Sequence, residues 1–456
     1  MVLMDLTELT NKRILVVGLG KSGAASALFL KSRGARVTVS DSKPEAELRN
    51  EILQLLDYGI TVETGGHGER TFHGQDLIVV SPGVPFDAPQ LAQARSLGVT
   101  VIGEIELAAQ FLSGPIVAIT GANGKTTTTS LTGEILAAGK FPVLVGGNIG
   151  TPAITFVDQA KPETWIVLEV SSFQLETIVL FRPRIAVILN ITPDHLDRHK
   201  TFANYVNAKA RIFENQKVDD FTVLNADDST TAELAGRVHS QLFWFSRKKE
   251  VEKGAFVGNE KIFFRDGERE REIMPLPDIP LKGAHNLENV LAGVVVGALA
   301  GCDLGQIREA IRTFKAVEHR LEFVAKIGGV DYYNDSKATN VDATIKALES
   351  FPANIHLILG GKDKGSDYTV LNDLLRQRVK RVYTIGAAAT KIESHIQGTA
   401  EILHAETLDN AIRRASESAV AGDIVLLAPA CASFDQFQNY EHRGRVFKET
   451  VRALTK

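Results

Sequence analysis

The sequence predicts an α/β protein of three modules, each built on a mostly parallel sheet with flanking helices. Three observations lead there. The chain has 456 residues, more than one hydrophobic core sustains. Apolar runs of four or five residues, each ending in glycine or polar turns, alternate with helical stretches, as parallel strands and their crossovers do. The pattern restarts after Ser113-Gly114-Pro115 and again near Lys315–Glu322, giving expected modules 1–113, 114–315 and 316–456.

Composition narrows the class. Hydrophobic residues make up 44% and charged residues 23%, with net charge −4. No basic excess favours nucleic acid. The two cysteines, Cys302 and Cys431, are far apart, which suits a reducing cytoplasm and argues against a disulfide framework or a zinc site. Met1–Lys12 carries acidic residues and no apolar signal core. The uncharged run Asn289–Cys302 is too short to cross a bilayer and reads as a buried helix. A cytoplasmic monomer that binds neither membrane nor nucleic acid is expected.

In the first module, strand Arg13–Val17 enters Gly18-Leu19-Gly20-Lys21-Ser22-Gly23, followed by helix Ala24–Arg33 and a second strand, Arg36–Ser40, ending at Asp41. This is the dinucleotide fingerprint of a Rossmann-like module: the glycines let backbone approach a pyrophosphate, and Asp41 accepts from a ribose or base. Alone it would suggest a nicotinamide oxidoreductase, but any nucleoside diphosphate satisfies it, and so does a tight turn without ligand. Strand Asp76–Val80 then delivers Ser81-Pro82-Gly83-Val84-Pro85 to the sheet edge where such folds hold ligands. The loop is equally readable as a proline-stiffened turn.

The second module opens on Ile116–Ile119, then Thr120-Gly121-Ala122-Asn123-Gly124-Lys125-Thr126-Thr127 and helix Thr128–Leu136. Turn N–H groups and the helix dipole converge on a phosphate, Lys125 reaches the outer phosphates, and the Thr126 hydroxyl suits magnesium. This is a P-loop ATPase-like module, although Ile119 stands where the pattern has its first glycine. Val143–Val145 leads to Gly146–Pro152, which carries Asn148. Trp165–Leu168 ends at Glu169, ahead of Val170–Glu176, and Ile185–Leu189 runs into Asn190–His199. Parallel strands ending there place Glu169 and His195 along the edge that holds the phosphate loop. One carboxylate beside Thr126 suffices for magnesium. Lys209, inside the expected helix Phe202–Phe213, reads as a solvated charge. From Ser240 to Pro280 short runs, Leu242–Phe245 and Lys261–Phe264, suggest an antiparallel patch covering a sheet edge. Leu281–Asn289 leads into helix Val290–Ala300, and another helix covers Leu304–Phe314.

The third module, again Rossmann-like, places strands Tyr332–Asn334, Ile355–Leu359, Arg381–Ile385 and Ile424–Leu427 before polar loops. These include Asp335–Asn340, Gly360–Gly365 and Ala428–Phe434. Two phosphate-type loops in one chain imply that two nucleotide-bearing ligands meet, as an ATP-driven joining enzyme with a nucleotide-tagged substrate requires.

Taken in order, Thr120–Thr127, Gly146–Pro152, Glu169–Glu176, Asn190–His199, Asn334–Asn340 and Ala428–Tyr440 resemble the motifs of the Mur ligase family, and the resemblance spans almost the whole chain. The Ser81-Pro82-Gly83 loop, Phe173-Gln174-Leu175-Glu176 and Ala430–Phe437 point to its D-glutamate-adding branch. The resemblance implies that ATP phosphorylates the carboxylate of UDP-N-acetylmuramoyl-L-alanine and that D-glutamate displaces the phosphate. It implies ATP contacts at Gly121, Asn123, Gly124, Lys125, Thr126, Thr127, Asn286, Arg320, Asp335 and Lys337. Magnesium would lie on Thr126, Glu169, His195 and a carbamylated Lys209, and Asn148 would orient the acyl phosphate. The UDP substrate would contact Ser22, Gly23, Asp41, Ser42, Ser81, Gly83, Asn148, Gln174 and His195. D-glutamate would contact Thr339, Lys364, Ser433 and Tyr440. Tyr440 stands where the family often has phenylalanine, and Lys362 and Lys364 both offer an ammonium to the amino acid. Lys125, Asn148, His195 and Lys209 form the implied catalytic set. Other amino-acid-adding members, a folylpolyglutamate-synthase-like ligase and a non-enzymatic ATP switch are the alternatives.

Overall fold

The computed structural model describes residues 8–281, 283–315 and 318–454. The start of the N-terminal stretch and part of the expected second module boundary lie outside them. The chain divides into two compact units, Met1–Asp278 with Asn289–Arg312, and Ile279–Glu288 with Thr313–Lys456.

The first unit contains two sheets. Strands β1 (Arg13–Val17), β2 (Arg36–Ser40), β3 (Thr61–Glu63), β4 (Leu77–Val80) and β5 (Thr100–Gly103) form an all-parallel sheet in the order β3-β2-β1-β4-β5. Its central strands are buried apolar runs, as both-face coverage demands. The order reverses between β1 and β4, so the loops after these strands flank the crevice where such sheets receive ligands.

The second sheet comprises β6 (Ile116–Thr120), β7 (Val143–Gly147), β8 (Trp165–Glu169), β9 (Ile185–Ile188), β10 (Phe221–Asn225), β11 (Gln241–Ser246), β12 (Gly254–Gly258), β13 (Lys261–Arg265) and β14 (Glu270–Pro275). Their order is β14-β13-β12-β11-β10-β9-β6-β8-β7. This corrects the expected antiparallel patch. β11 pairs parallel with β10, and β12 parallel with β11; antiparallel pairing is confined to β12–β13 and β13–β14. The cause is local: between β10 and β11 the Asp228 side chain caps helix Ser229–Glu233 through Thr231 N–H, and that helix supplies the crossover parallel pairing needs. The sheet is extended rather than covered.

The two sheets share one apolar cluster, running from Ile14 and Leu30 through Ile105 to Phe181 and Leu234. Two buried carboxylates on helix Glu104–Ala109 reinforce the junction. Glu106 accepts from the N–H groups of Val179, Leu180 and Phe181 at 2.8, 3.0 and 2.9 Å, and Glu104 from Ile154 N–H at 2.8 Å.

The second unit is built on β15 (Glu322–Ile327), β16 (Val330–Asn334), β17 (Ile355–Gly360), β18 (Val379–Ile385), β19 (Glu401–Glu406) and β20 (Ile424–Leu427), in the order β15-β16-β20-β17-β18-β19. Only β15 is antiparallel to its neighbour. Several helices differ in extent from expectation. The phosphate-loop helix begins at Lys125 and the alanine-rich helix at Ala284, while Phe202–Phe213 divides into helix Phe202–Ala210 and the 3₁₀ turn Arg211–Phe213. Among the described residues no helix is long and apolar enough to cross a membrane, and both cysteines are free and buried.

Candidate functional site

β6 ends at the phosphate loop, and helix Lys125–Ala138 points its N-terminus into it. Gly124 takes φ +85°, and a Cβ there would lie 2.2 Å from Asn289 Oδ1, so only glycine fits. Asn190, just beyond β9, braces the loop: its side chain accepts from Asn123 N–H at 2.9 Å and donates to Asn123 O at 3.1 Å, while its carbonyl accepts from Ala122 N–H. Lys125 Nζ donates to the carbonyls of Gly121 and Ala122, both at 2.8 Å. Thr127, further into the first turn, is buried with no partner for its hydroxyl.

Glu169, at the end of β8, joins two of the expected site residues. Its Oε2 accepts from the Thr126 hydroxyl at 2.7 Å and its Oε1 from the Asn148 amide at 2.9 Å. Hydroxyl and carboxylate oxygens beside a phosphate loop are the donors magnesium takes along with phosphate and water.

Lys209 is not the solvated charge its helix suggested. It is 1% exposed, and its Nζ donates to Gly121 O at 2.8 Å under the phosphate loop and lies 4.7 Å from the Tyr205 ring centre. Burial, and then the Lys125 cation, hold its pKa well below the ordinary lysine value, against the pull of Asp194 and Glu169. A lysine held toward its neutral form is a nucleophilic amine. Lys125 and Lys209 thus meet at Gly121, with the His195 loop alongside. His195 takes φ +54°, and its ring lies edge-on to Phe173 at 5.0 Å.

The residues expected to hold the UDP substrate share the first unit. A Cβ at Gly23 would strike Gly18 O at 1.8 Å, so this glycine lets the first turn of helix Lys21–Ser32 close on the loop. Asp41 Oδ2 accepts from Leu19 N–H at 2.6 Å and Oδ1 from Lys43 N–H at 2.8 Å, so it also shapes the glycine loop. Ser81 Oγ donates to Gly18 O at 2.8 Å across the switch point. Ser22 is half-buried, and Ser42 and Gly83 are exposed at the same strand ends. Gln174 caps Ser171 through its Oε1 and buries an Nε2 that has no partner, a donor available to a ligand.

The second unit contains the remaining residues. Asn286 and Arg320 line a cavity of about 450 Å³ whose other walls include Leu281, Phe323, Tyr333 and Phe351. Apolar walls with a few polar groups suit a planar base, and Arg320 Nε is buried without a partner. Asp335 is also buried; burial pushes its carboxyl up to about 6, against the pull of Arg320 and of the Leu321 N–H. Lys337 Nζ lies 5.1 Å from the Tyr440 ring centre. The loops that carry Thr339, Lys364 and Ser433 are laced together. Arg443, fully buried, donates to the Ser336 hydroxyl and carbonyl and to Cys431 O, and Lys362 exchanges backbone hydrogen bonds with Ala432. Asp363 turns inward: although burial alone would raise its pKa, bonds from Lys391 and Tyr368 hold it down at about 2. Lys362 and Lys364 both remain exposed.

Sequence reading assigned no role to Glu104, Glu106, Asn190 or Arg198. Two acids in the otherwise apolar Glu104–Ala109 were the available signal, because buried carboxylates need partners.

The chain matches three family models in succession: the Mur ligase MurD-like N-terminal domain over residues 12–103, the Mur ligase middle domain over 119–297, and the Mur ligase glutamate ligase domain over 319–431. A protein of Koribacter versatilis named UDP-N-acetylmuramoylalanine–D-glutamate ligase is 68% identical over 447 residues, covering 98% of each chain. One of the same name from Acidobacterium capsulatum is 60% identical over 98% of this chain and 97% of its own. Among solved structures, a pseudomurein peptide ligase type C of Methanothermus fervidus shares the fold with TM-score 0.62 and 21% identity, covering 97% of this chain and 100% of its own. The UDP-N-acetylmuramate–alanine ligase of Thermotoga maritima does so with TM-score 0.61 and 22% identity, at the same coverage. Matched in three consecutive domains and by relatives over nearly its whole length, the chain belongs to the Mur ligase family.

Proposed function

We propose that the protein joins D-glutamate to UDP-N-acetylmuramoyl-L-alanine at the expense of ATP, as an acid–amino-acid ligase of peptidoglycan precursor synthesis. The observation that carries this reading is Glu169, a single carboxylate held between the Thr126 hydroxyl and the Asn148 amide beside the phosphate loop. The names of the relatives at 68% and 60% identity supply the substrates.

A carboxylate is a poor electrophile, so its oxygen first attacks the γ-phosphorus of ATP and ADP leaves. The D-glutamate amine then attacks the acyl carbon, loses a proton, and phosphate departs from the tetrahedral intermediate. Positioning and charge neutralisation do most of this work. Gly121, Asn123, Gly124 and Thr127 cradle the ATP phosphates, and Lys125 swings from its own loop carbonyls to the outer phosphate. Asn148 orients the acyl phosphate. Thr126, Glu169 and His195 would hold magnesium, which supplies positive charge to the phosphate oxygens. Lys209, kept toward its neutral form, adds to carbon dioxide and loses a proton, so that it presents a carbamate oxygen; a ¹³C signal from labelled bicarbonate, absent in Lys209→Ala, tests this. Asn286, Arg320, Asp335 and Lys337 receive the adenosine. Ser22, Gly23, Asp41, Ser42, Ser81, Gly83, Gln174 and His195 receive the UDP substrate, and Thr339, Lys364, Ser433 and Tyr440 the amino acid. Modules 1–113, 114–315 and 316–456 divide these tasks in a cytoplasmic monomer.

The test is phosphate release from ATP, magnesium and UDP-N-acetylmuramoyl-L-alanine with a panel of amino acids. D-glutamate alone is expected to support turnover, and Lys125→Ala to abolish it. Equal release with L-glutamate, or with no amino acid, overturns the reading.

A further inference from the structure

We infer that Arg198 is a positioning residue that fuses the Ser81–Pro85 turn and the His195 loop into one surface for the sugar-peptide arm of the nucleotide substrate. Arg198 lies in the short helix Leu196–His199, immediately after the His195 loop. Its Nη1 donates to the carbonyls of Pro82 and Gly83 at 3.1 and 3.3 Å, and its Nη2 to Val84 O at 2.7 Å. One guanidinium thus serves three successive carbonyls of another module. Its Cζ lies 4.2 Å from the centre of the Phe173 ring, which meets His195 in a T-shaped contact and stacks with His199.

The consequence follows from peptide geometry. In a trans peptide the C=O and the next N–H point in opposite directions. With Pro82 O fixed on Arg198, the Gly83 N–H is fixed pointing away from it, as a donor on the other side of the turn. Val84 N–H closes the turn on Ser81 O, and Ser81 Oγ is tied to Gly18 O. Arg198 therefore completes an unbroken chain of contacts from the glycine loop of the first module to the His195 loop of the second. A lysine could not replace it, because a point charge lacks the planar fork that spans several carbonyls.

This inference rests on the proposed reaction and concerns the part of the substrate beyond the UDP. The experiment is calorimetric titration of wild type, Arg198→Ala and Arg198→Lys with UDP and, separately, with UDP-N-acetylmuramoyl-L-alanine. UDP affinity is expected to hold, while the advantage of the full substrate over UDP falls roughly tenfold or more in Arg198→Ala and is only partly restored in Arg198→Lys. If Arg198→Ala does not fold, the ratio is read from Arg198→Lys. An unchanged ratio, or equal losses for both ligands as a purely structural role would give, overturns the inference alone. Wild-type protein that binds UDP but not the sugar-peptide nucleotide overturns the reaction and the inference together.

Discussion

Replacing Glu104 by glutamine should change how the stability of the first unit depends on pH. Glu104 is 2% exposed, with Oε1 on the Ile154 N–H and Oε2 without any partner. Burial, opposed by the N–H groups of Ile154 and Ala153, pushes its carboxyl from the ordinary 4.5 up to about 7. Between those values the folded chain holds a proton that the unfolded chain has already released. The associated stability is complete below the unfolded pKa and is lost as pH rises through the folded one. The interval corresponds to about 3 kcal/mol. Glutamine imitates the protonated acid: it retains an acceptor for Ile154 and never ionises. The variant should therefore lack this decline and, above about pH 7, exceed wild type by up to about 3 kcal/mol. Both tryptophans, Trp165 in β8 and Trp244 in β11, belong to the first unit, so urea unfolding followed by their fluorescence reports on the right part of the chain. Unfolding midpoints that track wild type at every pH would refute the reasoning.

Two further outcomes follow from single positions. Glu106→Ala leaves the N–H groups of Val179, Leu180 and the buried Phe181 without their carboxylate acceptor. It should cost roughly 3–5 kcal/mol by the same fluorescence assay, and a loss below about 1 kcal/mol contradicts the assigned contacts. Gly124→Ala combines a left-handed backbone with a Cβ on Asn289 Oδ1; ATP affinity should fall roughly tenfold or more in equilibrium titration, and unaltered binding would show that the loop tolerates a side chain there.

The strands that end at the phosphate loop, at Glu169 and near His195 were legible because parallel strands buried on both faces are continuous apolar runs whose polar residues begin where the sheet ends. The extension of the central sheet was not. The crossover helix Ser229–Glu233 is a single turn, and β12 and β14 carry too little alternation to declare a direction. Lys209 shows the limit most clearly. A lone lysine in a helix carries no local mark of burial, and only the packing of Phe202–Ala210 against the phosphate loop brings its ammonium to Gly121. Arg198, and the cross-module contacts of Glu106, are likewise hard to read, because the groups they bind there are backbone atoms distant in sequence.

Arg443 imposes an order on biosynthesis. The loops bearing Thr339 and Ser433 are pinned to each other through a side chain that belongs to helix Tyr440–Ala453. A ribosome reaches that residue 107 positions after Ser336 and 12 after Cys431. A nascent chain can complete both phosphate-type loops while the Ser336 and Cys431 loops still lack their common anchor, and a polypeptide cut short before residue 443 would remain permanently in that condition.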